Sequence, residues 1–198
     1  EEARRSMSKA EFEQEYMANF NSYEGQIFEV QEENIVDEFE PHDYCEIFAG
    51  LDPGYRDPTA FVVIIYSPRD DCFYIVDEYI NNERTTKEHV DYLKEMIDKW
   101  HIDLIFIDSA AAQFAADLAY TYDIATTNSK KDKLPGIATV QTLLQQKRLK
   151  IVRGCTETLA AFDQYQWDLR ETLTREKPVH TFSHIPDAVR YALHTFTL

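Results

Sequence analysis

The chain is 198 residues long, 44% hydrophobic and 13% aromatic, with a formal net charge of −16. That length and apolar content suit one globular domain with its own core, and no apolar run approaches the length of a membrane span. The three cysteines (Cys45, Cys72, Cys155) are too few and too scattered for a disulfide framework or a zinc site, and no basic-plus-apolar leader is visible, so the chain reads as soluble and cytosolic.

The first stretch carries most of the acidity. Residues 1–46 hold fourteen acids and three bases, a net of −11, whereas the remainder is close to balanced. The chain begins at Glu1 without a methionine, which leads us to expect a fragment of a longer protein. Ser8-Lys9-Ala10-Glu11 is a capping-box pattern, and Phe12, Tyr16 and Phe20 follow at helical spacing. Gly25 breaks that helix and Ile27-Phe28-Glu29-Val30 is expected as a brief strand. Residues 31–46 are acidic and without period, and are expected as a linker or a surface-draping connection. We therefore divide the chain into 1–45, a helix and acidic connecting segment, and 46–198, the domain proper.

From Ile47 the pattern tightens. Ile47–Leu51 reads as a buried strand that ends in Asp52 and is stopped by Pro53-Gly54. Thr59–Tyr66 is apolar and β-branched, hence a second strand, and Cys72–Tyr79 is a third after the turn cluster 67–71. Two short connections in succession imply antiparallel pairing. Thr86 opens a helix with Val90, Leu93, Met96, Ile97 and Trp100 on its apolar face, and Leu104–Ile107 is a strand ending in Asp108. The helical crossover makes that strand parallel to the first. A helix over 110–119, a short strand over 124–127 and the polar loop of Lys130, Lys131 and Lys133 come next. Then follow a helix from Pro135 to Lys147, an edge-like strand over 149–152, a helix over 156–168, a loop over 178–184, and a last helix from Asp187 to Phe196 with Pro186 at its first position. The fold class is α/β: a mixed sheet of three antiparallel strands, then parallel strands, flanked by helices.

Two parallel neighbours that both end in aspartate deliver Asp52 and Asp108 to one sheet edge, about 4.8 Å apart across the ladder. Such a pair repels unless a cation sits between them. Asp187 is a third acid in the first turn of the last helix, a position that also suits a plain dipole-compensating charge. His184 lies three residues earlier, as a ligand, proton carrier or simple cap. Glu78, near the end of the third strand, reads either as an auxiliary acid or as a solvent-facing edge residue. Lys130, Lys131 and Lys133 follow a strand that points to the same edge, and suit phosphate contacts or a solvated loop. Seven bases against Asp132 alone between Lys130 and Arg153 leave a DNA substrate open despite the net charge.

Gly50-Leu51-Asp52-Pro53-Gly54, Phe106-Ile107-Asp108-Ser109 and His184-Ile185-Pro186-Asp187-Ala188-Val189-Arg190-Tyr191-Ala192-Leu193 resemble the RNase H-like nuclease domain of large terminase subunits, the DNA-packaging motors of tailed bacteriophages. The leading stretch Phe12–Tyr16 through Glu24–Phe28 is similar to the segment that joins motor ATPase to nuclease, so the resemblance spans nearly the whole chain. The Asp-Pro-Gly strand end also occurs in Holliday-junction resolvases. The resemblance implies a double-stranded DNA endonuclease of little sequence preference. Asp52, Asp108 and Asp187 would hold two Mg²⁺ or Mn²⁺ ions, with Asp52 common to both; hard oxygen donors suit those ions. It also implies an ATPase domain upstream, a small terminase subunit and a portal protein as partners, and the host cytoplasm as location. No Gly-x-x-x-x-Gly-Lys-Ser/Thr is present, so the ATPase is expected outside this chain. The rival readings are a resolvase or recombinase of the same fold, an actin-like or sugar-kinase nucleotide domain, and a non-catalytic DNA- or portal-docking domain.

Overall fold

The computed structural model describes residues 25–167 and 183–198; the helix expected over 8–20 lies outside them. A seven-stranded sheet organises the chain. Its strands are β1 (Ile35–Val36), β2 (Glu46–Asp52), β3 (Thr59–Ser67), β4 (Cys72–Asn81), β5 (Leu104–Ile107), β6 (Thr127–Asn128) and β7 (Leu149–Val152), in the spatial order β1-β7-β4-β3-β2-β5-β6. The β2–β3–β4 meander is antiparallel, and β5 lies parallel to β2 with Leu51 opposite Ile107. The outer strands β6, β7 and β1 all pair in parallel. The expected mixed sheet is therefore the observed one.

Helices cover both faces, so β3 is buried from Thr59 to Ile65 and reads as an unbroken apolar run. On one face lie α1 (Thr86–Trp100) and α2 (Ala112–Tyr122), packed through Val90, Leu93, Met96 and Leu118 against Phe61, Val63 and Ile107. On the other lie α3 (Lys133–Gln145), α4 (Thr156–Gln164) and α5 (His184–Phe196), packed against Phe48, Val62 and Ile64.

Several boundaries differ from expectation for identifiable reasons. The stretch 27–30 forms no strand; Gln26 makes one antiparallel bridge with Gln166, and Ile27 and Phe28 drop into the core beside Phe162 and Tyr165. Part of the acidic connection joins the sheet, because Ile35–Val36 pairs with Ile151–Val152. That pairing makes Leu149–Val152 an interior strand and not an edge. Of the expected 124–127 strand only Thr127 is paired, together with Asn128 beyond it, and the helix expected over 110–119 is shifted to 112–122. The helix beginning at Thr156 stops at Gln164, short of the expected Asp168, because Gln166 is taken by its bridge. The last helix starts a turn before Asp187, at His184. The first amides of a helix have no partner within it, so Pro186 at the third position removes nothing; the Asp187 N–H makes the bond back to the Ser183 carbonyl at 2.7 Å.

One contact fixes α5 against the sheet. A Cβ on Gly50 would lie 2.0 Å from the Ala188 carbonyl oxygen and 3.1 Å from the Ala192 Cβ. Only a residue without a side chain allows that approach of helix backbone to strand, and it sets Asp187 above the end of β2.

Candidate active site

Asp52 is the last residue of β2, and Pro53-Gly54 ends the ladder there. Next to it the Asp108 N–H donates to the Leu51 carbonyl at 3.2 Å, prolonging the β2–β5 pairing by one residue and holding Asp108 at the same sheet edge. The α5 helix contributes His184 and Asp187. All four line a cleft of about 310 Å³, together with Tyr55 and Arg56 of the loop after β2 and Tyr191 of α5.

Each carboxylate has a basic partner. His184 Nδ1 lies 3.0 Å from Asp52 Oδ2. Lys131 Nζ stands 3.1 Å from Asp108 Oδ1, which also accepts the Ala110 N–H at 2.9 Å. Arg190 donates from Nε and Nη2 to Asp187 Oδ1 at 3.2 and 3.0 Å. Burial pushes the Asp52 carboxyl above its usual range, and the charges of Asp187 and Asp108 add to this against the opposing His184 hydrogen bond. His184 is raised in turn, chiefly by that hydrogen bond, so the pair holds a proton more tightly than either group would alone. Burial, then Asp187 and Asp52, raise Tyr191 well beyond its ordinary value, and its hydroxyl stays protonated in the cleft.

The remaining candidates separate. Of the three lysines only Lys131 reaches an aspartate; the Lys130 backbone N–H donates to Thr195 Oγ1, and exposed Lys133 begins α3. Glu78, expected as an auxiliary acid, does not line the cleft. Its carboxylate accepts the Glu157 and Thr158 N–H groups at 2.8 and 2.7 Å and the Thr158 hydroxyl at 2.6 Å, so it caps α4 from the neighbouring strand. Sequence reasoning assigned no role to Arg190, Tyr55 or Arg56. Arg190 had a usable signal, since three residues along a helix is the same face as Asp187; Tyr55 and Arg56 had only their place beside Asp52.

Among the described residues no three His, Cys, Asp or Glu side chains form a ready metal-binding group. The donor set still fits hard divalent ions: three carboxylates from separate elements open on one cleft, and the basic partners of Asp108 and Asp187 differ in how deeply they are buried. The Lys131 side chain is 49% exposed and free to leave Asp108, whereas that of Arg190 is only 4% exposed. An ion bound there would replace Lys131 as the counter-charge.

The Terminase RNaseH-like domain family matches residues 49–196. The large terminase subunit of Escherichia phage T5 is 41% identical over 211 residues, covering 100% of this chain and 48% of that protein. The chain thus spans about half the length of that curated relative. The solved large terminase of a thermophilic bacteriophage superposes with a TM-score of 0.79 at 27% identity, over 98% of this chain and 52% of that one. The nuclease domain of the bacteriophage SPP1 large terminase, solved with bound manganese, superposes with a TM-score of 0.62 at 22% identity, over 83% and 97%.

Proposed function

Because the chain belongs to the terminase RNaseH-like domain family, we propose that it is the endonuclease part of a viral DNA-packaging motor. It cuts concatemeric double-stranded DNA, with little sequence preference, by metal-assisted phosphodiester hydrolysis. The observation that carries this reading is the convergence of Asp52, Asp108 and Asp187, from two parallel strands and a helix, on one cleft. The manganese in the SPP1 domain supports divalent-ion use. Asp52 would be common to two ions, with Asp108 and Asp187 each completing one. When bound, such ions activate a water and offset the charge that develops on the leaving oxygen.

The chain's own residues do the rest. Gly50 lets α5 sit close enough for Asp187 to share the cleft with Asp52. His184, hydrogen-bonded to Asp52, is placed to hold a proton at the reacting face. Lys131, displaced from Asp108, and Arg56 of the cleft lining are placed to take backbone phosphates. The partners in this reading are duplex DNA, an ATPase domain of the same full-length protein, a small terminase subunit and a portal protein, in the host cytoplasm.

Plasmid cleavage by the purified chain with Mn²⁺, Mg²⁺ or EDTA is the test. We expect cutting with either ion, none in EDTA, and a loss of ~100-fold or more in Asp52→Asn. Metal-dependent cutting retained by Asp52→Asn overturns the assignment. Preference for a four-way junction over linear duplex would favour a resolvase, and metal binding without cutting would favour a docking domain.

A further inference from the structure

The Asp187–Arg190 pair is built more elaborately than a stabilising ion pair requires. Both donating nitrogens of Arg190 end on the same oxygen, Oδ1, so the guanidinium leaves Oδ2 of Asp187 unengaged. The guanidinium packs 4.5 Å from the Tyr191 ring, and its Nη1 is buried with no hydrogen-bond partner among the described residues. Its aliphatic stem passes directly over α3. A Cβ on Gly136 would lie 2.6 Å from Arg190 Cγ and 2.9 Å from Cδ, so the arginine occupies a slot that any larger residue would fill.

Such a slot is a costly way to stabilise a fold. Taking a guanidinium out of water costs about as much as its partner returns, and a buried donor left without an acceptor adds to the cost. Apolar residues in place of both partners would fill much of the same space without either penalty. What the arginine alone supplies is direction: two bonds to one oxygen fix the plane of a carboxylate that sits in the first turn of α5 and opens on the cleft.

We propose that Arg190 is a positioning residue for Asp187, seated in the slot left by Gly136, and that it presents the second carboxylate oxygen to a divalent ion. This rests on the nuclease reading above. Groups that orient a ligand in this way typically change metal affinity 10–100-fold when removed.

The test uses the full chain and three variants: Arg190→Met, Arg190→Lys and Gly136→Ala. Mn²⁺ binding is measured by titration calorimetry with the metal alone, beside thermal unfolding and the Mn²⁺ dependence of plasmid cleavage. Arg190→Met, which leaves the largely buried Asp187 carboxylate without its counter-charge, is expected to lose stability and, in the fraction that folds, to bind Mn²⁺ at least ~10-fold more weakly. Arg190→Lys, a single point donor, is expected to fall between the two. Gly136→Ala changes no charge and is favoured by helix propensity, so weaker Mn²⁺ binding without loss of stability would report displacement of the arginine stem. That variant also decides the matter if Arg190→Met fails to fold. Wild-type binding with unchanged affinity in the folded variants overturns the inference alone. Failure of the wild-type chain to bind Mn²⁺ overturns the nuclease reading and the inference with it.

Discussion

Asp108 and Asp187 meet opposite kinds of counter-charge, and the difference sets what each can do. Lys131 approaches Asp108 at 3.1 Å on a side chain half in water, a pair worth at most about 1 kcal/mol. It competes with any cation for the same oxygen without holding the site shut. Lys131→Ala is therefore expected to bind Mn²⁺ as tightly as the wild type or several-fold more tightly. Its DNA binding should show a salt slope smaller by about one ion. Calorimetry and a salt titration read the two effects, and weaker Mn²⁺ binding in this variant would show that Lys131 is not a competitor. Asp52 and Asp108 were legible in the sequence because strand tips and parallel pairing follow from local pattern, and Asp187 as an acid in the first turn of the last helix. Which of three neighbouring lysines reaches the acids was not, since Lys130, Lys131 and Lys133 differ only in how their loop is pinned, here by the Lys130 amide on Thr195. Arg190 was hidden for a similar reason: the spacing gives its face, while its burial depends on a glycine fifty-four residues earlier.

The helices show how far elements depend on distant chemistry. α1 caps itself, with the Thr85 side chain accepting the Glu88 N–H and Glu88 returning to the Thr85 N–H, and its bounds matched the sequence reading. α4 has Cys155 at its N-cap and no side-chain cap of its own. Its first amides are taken by Glu78 across seventy-nine residues, a partnership that no local pattern announces. Glu78→Ala should destabilise the fold by about 1–3 kcal/mol in urea unfolding, while the folded protein keeps its Mn²⁺ affinity; a selective loss of Mn²⁺ binding would return Glu78 to the site. A second element-scale device joins α1 to β4. His89 is buried with Nδ1 2.9 Å from the Tyr79 hydroxyl, and burial, then Arg84, lowers its pKa. A histidine whose folded pKa is depressed supports the fold above its unfolded value of about 6.5 and withdraws that support as pH falls through the folded pKa. The melting temperature of His89→Gln should therefore fall less than that of the wild type between pH 7.5 and 5; parallel curves would show that His89 does not contribute.

At the scale of the whole molecule, the acidic N-terminal stretch is divided between surface and core. Asp37 and Glu32 face Arg153 at 2.9 and 3.6 Å, and Glu33 faces Lys147 at 3.9 Å, so much of the basic stripe around β7 is already matched within the chain. Exposed pairs of this kind contribute little each. The apolar anchors weigh more: Ile27 and Phe28 are buried, and the Asn34 amide donates to the Leu144 and Leu149 carbonyls at 3.0 and 2.9 Å. A chain beginning at residue 46 would lose about 3–6 kcal/mol from those two side chains alone. It should melt about 6–24 °C lower, and a shift of only one or two degrees would make the segment a passenger. Sequence alone showed the central meander, the β5 crossover and the order of helices, because each rests on contiguous pattern. It missed β1, since two residues carry no period and the pairing with β7 is reached only through the fold. The closeness of Gly50 to Ala188 has one more consequence, in time. Under the nuclease reading, the third acid rides on α5, and that helix can dock only on a finished β2–β5 pair. Until α5 has been made and has docked there is no triad, so the ability to cut cannot precede the closing of that contact.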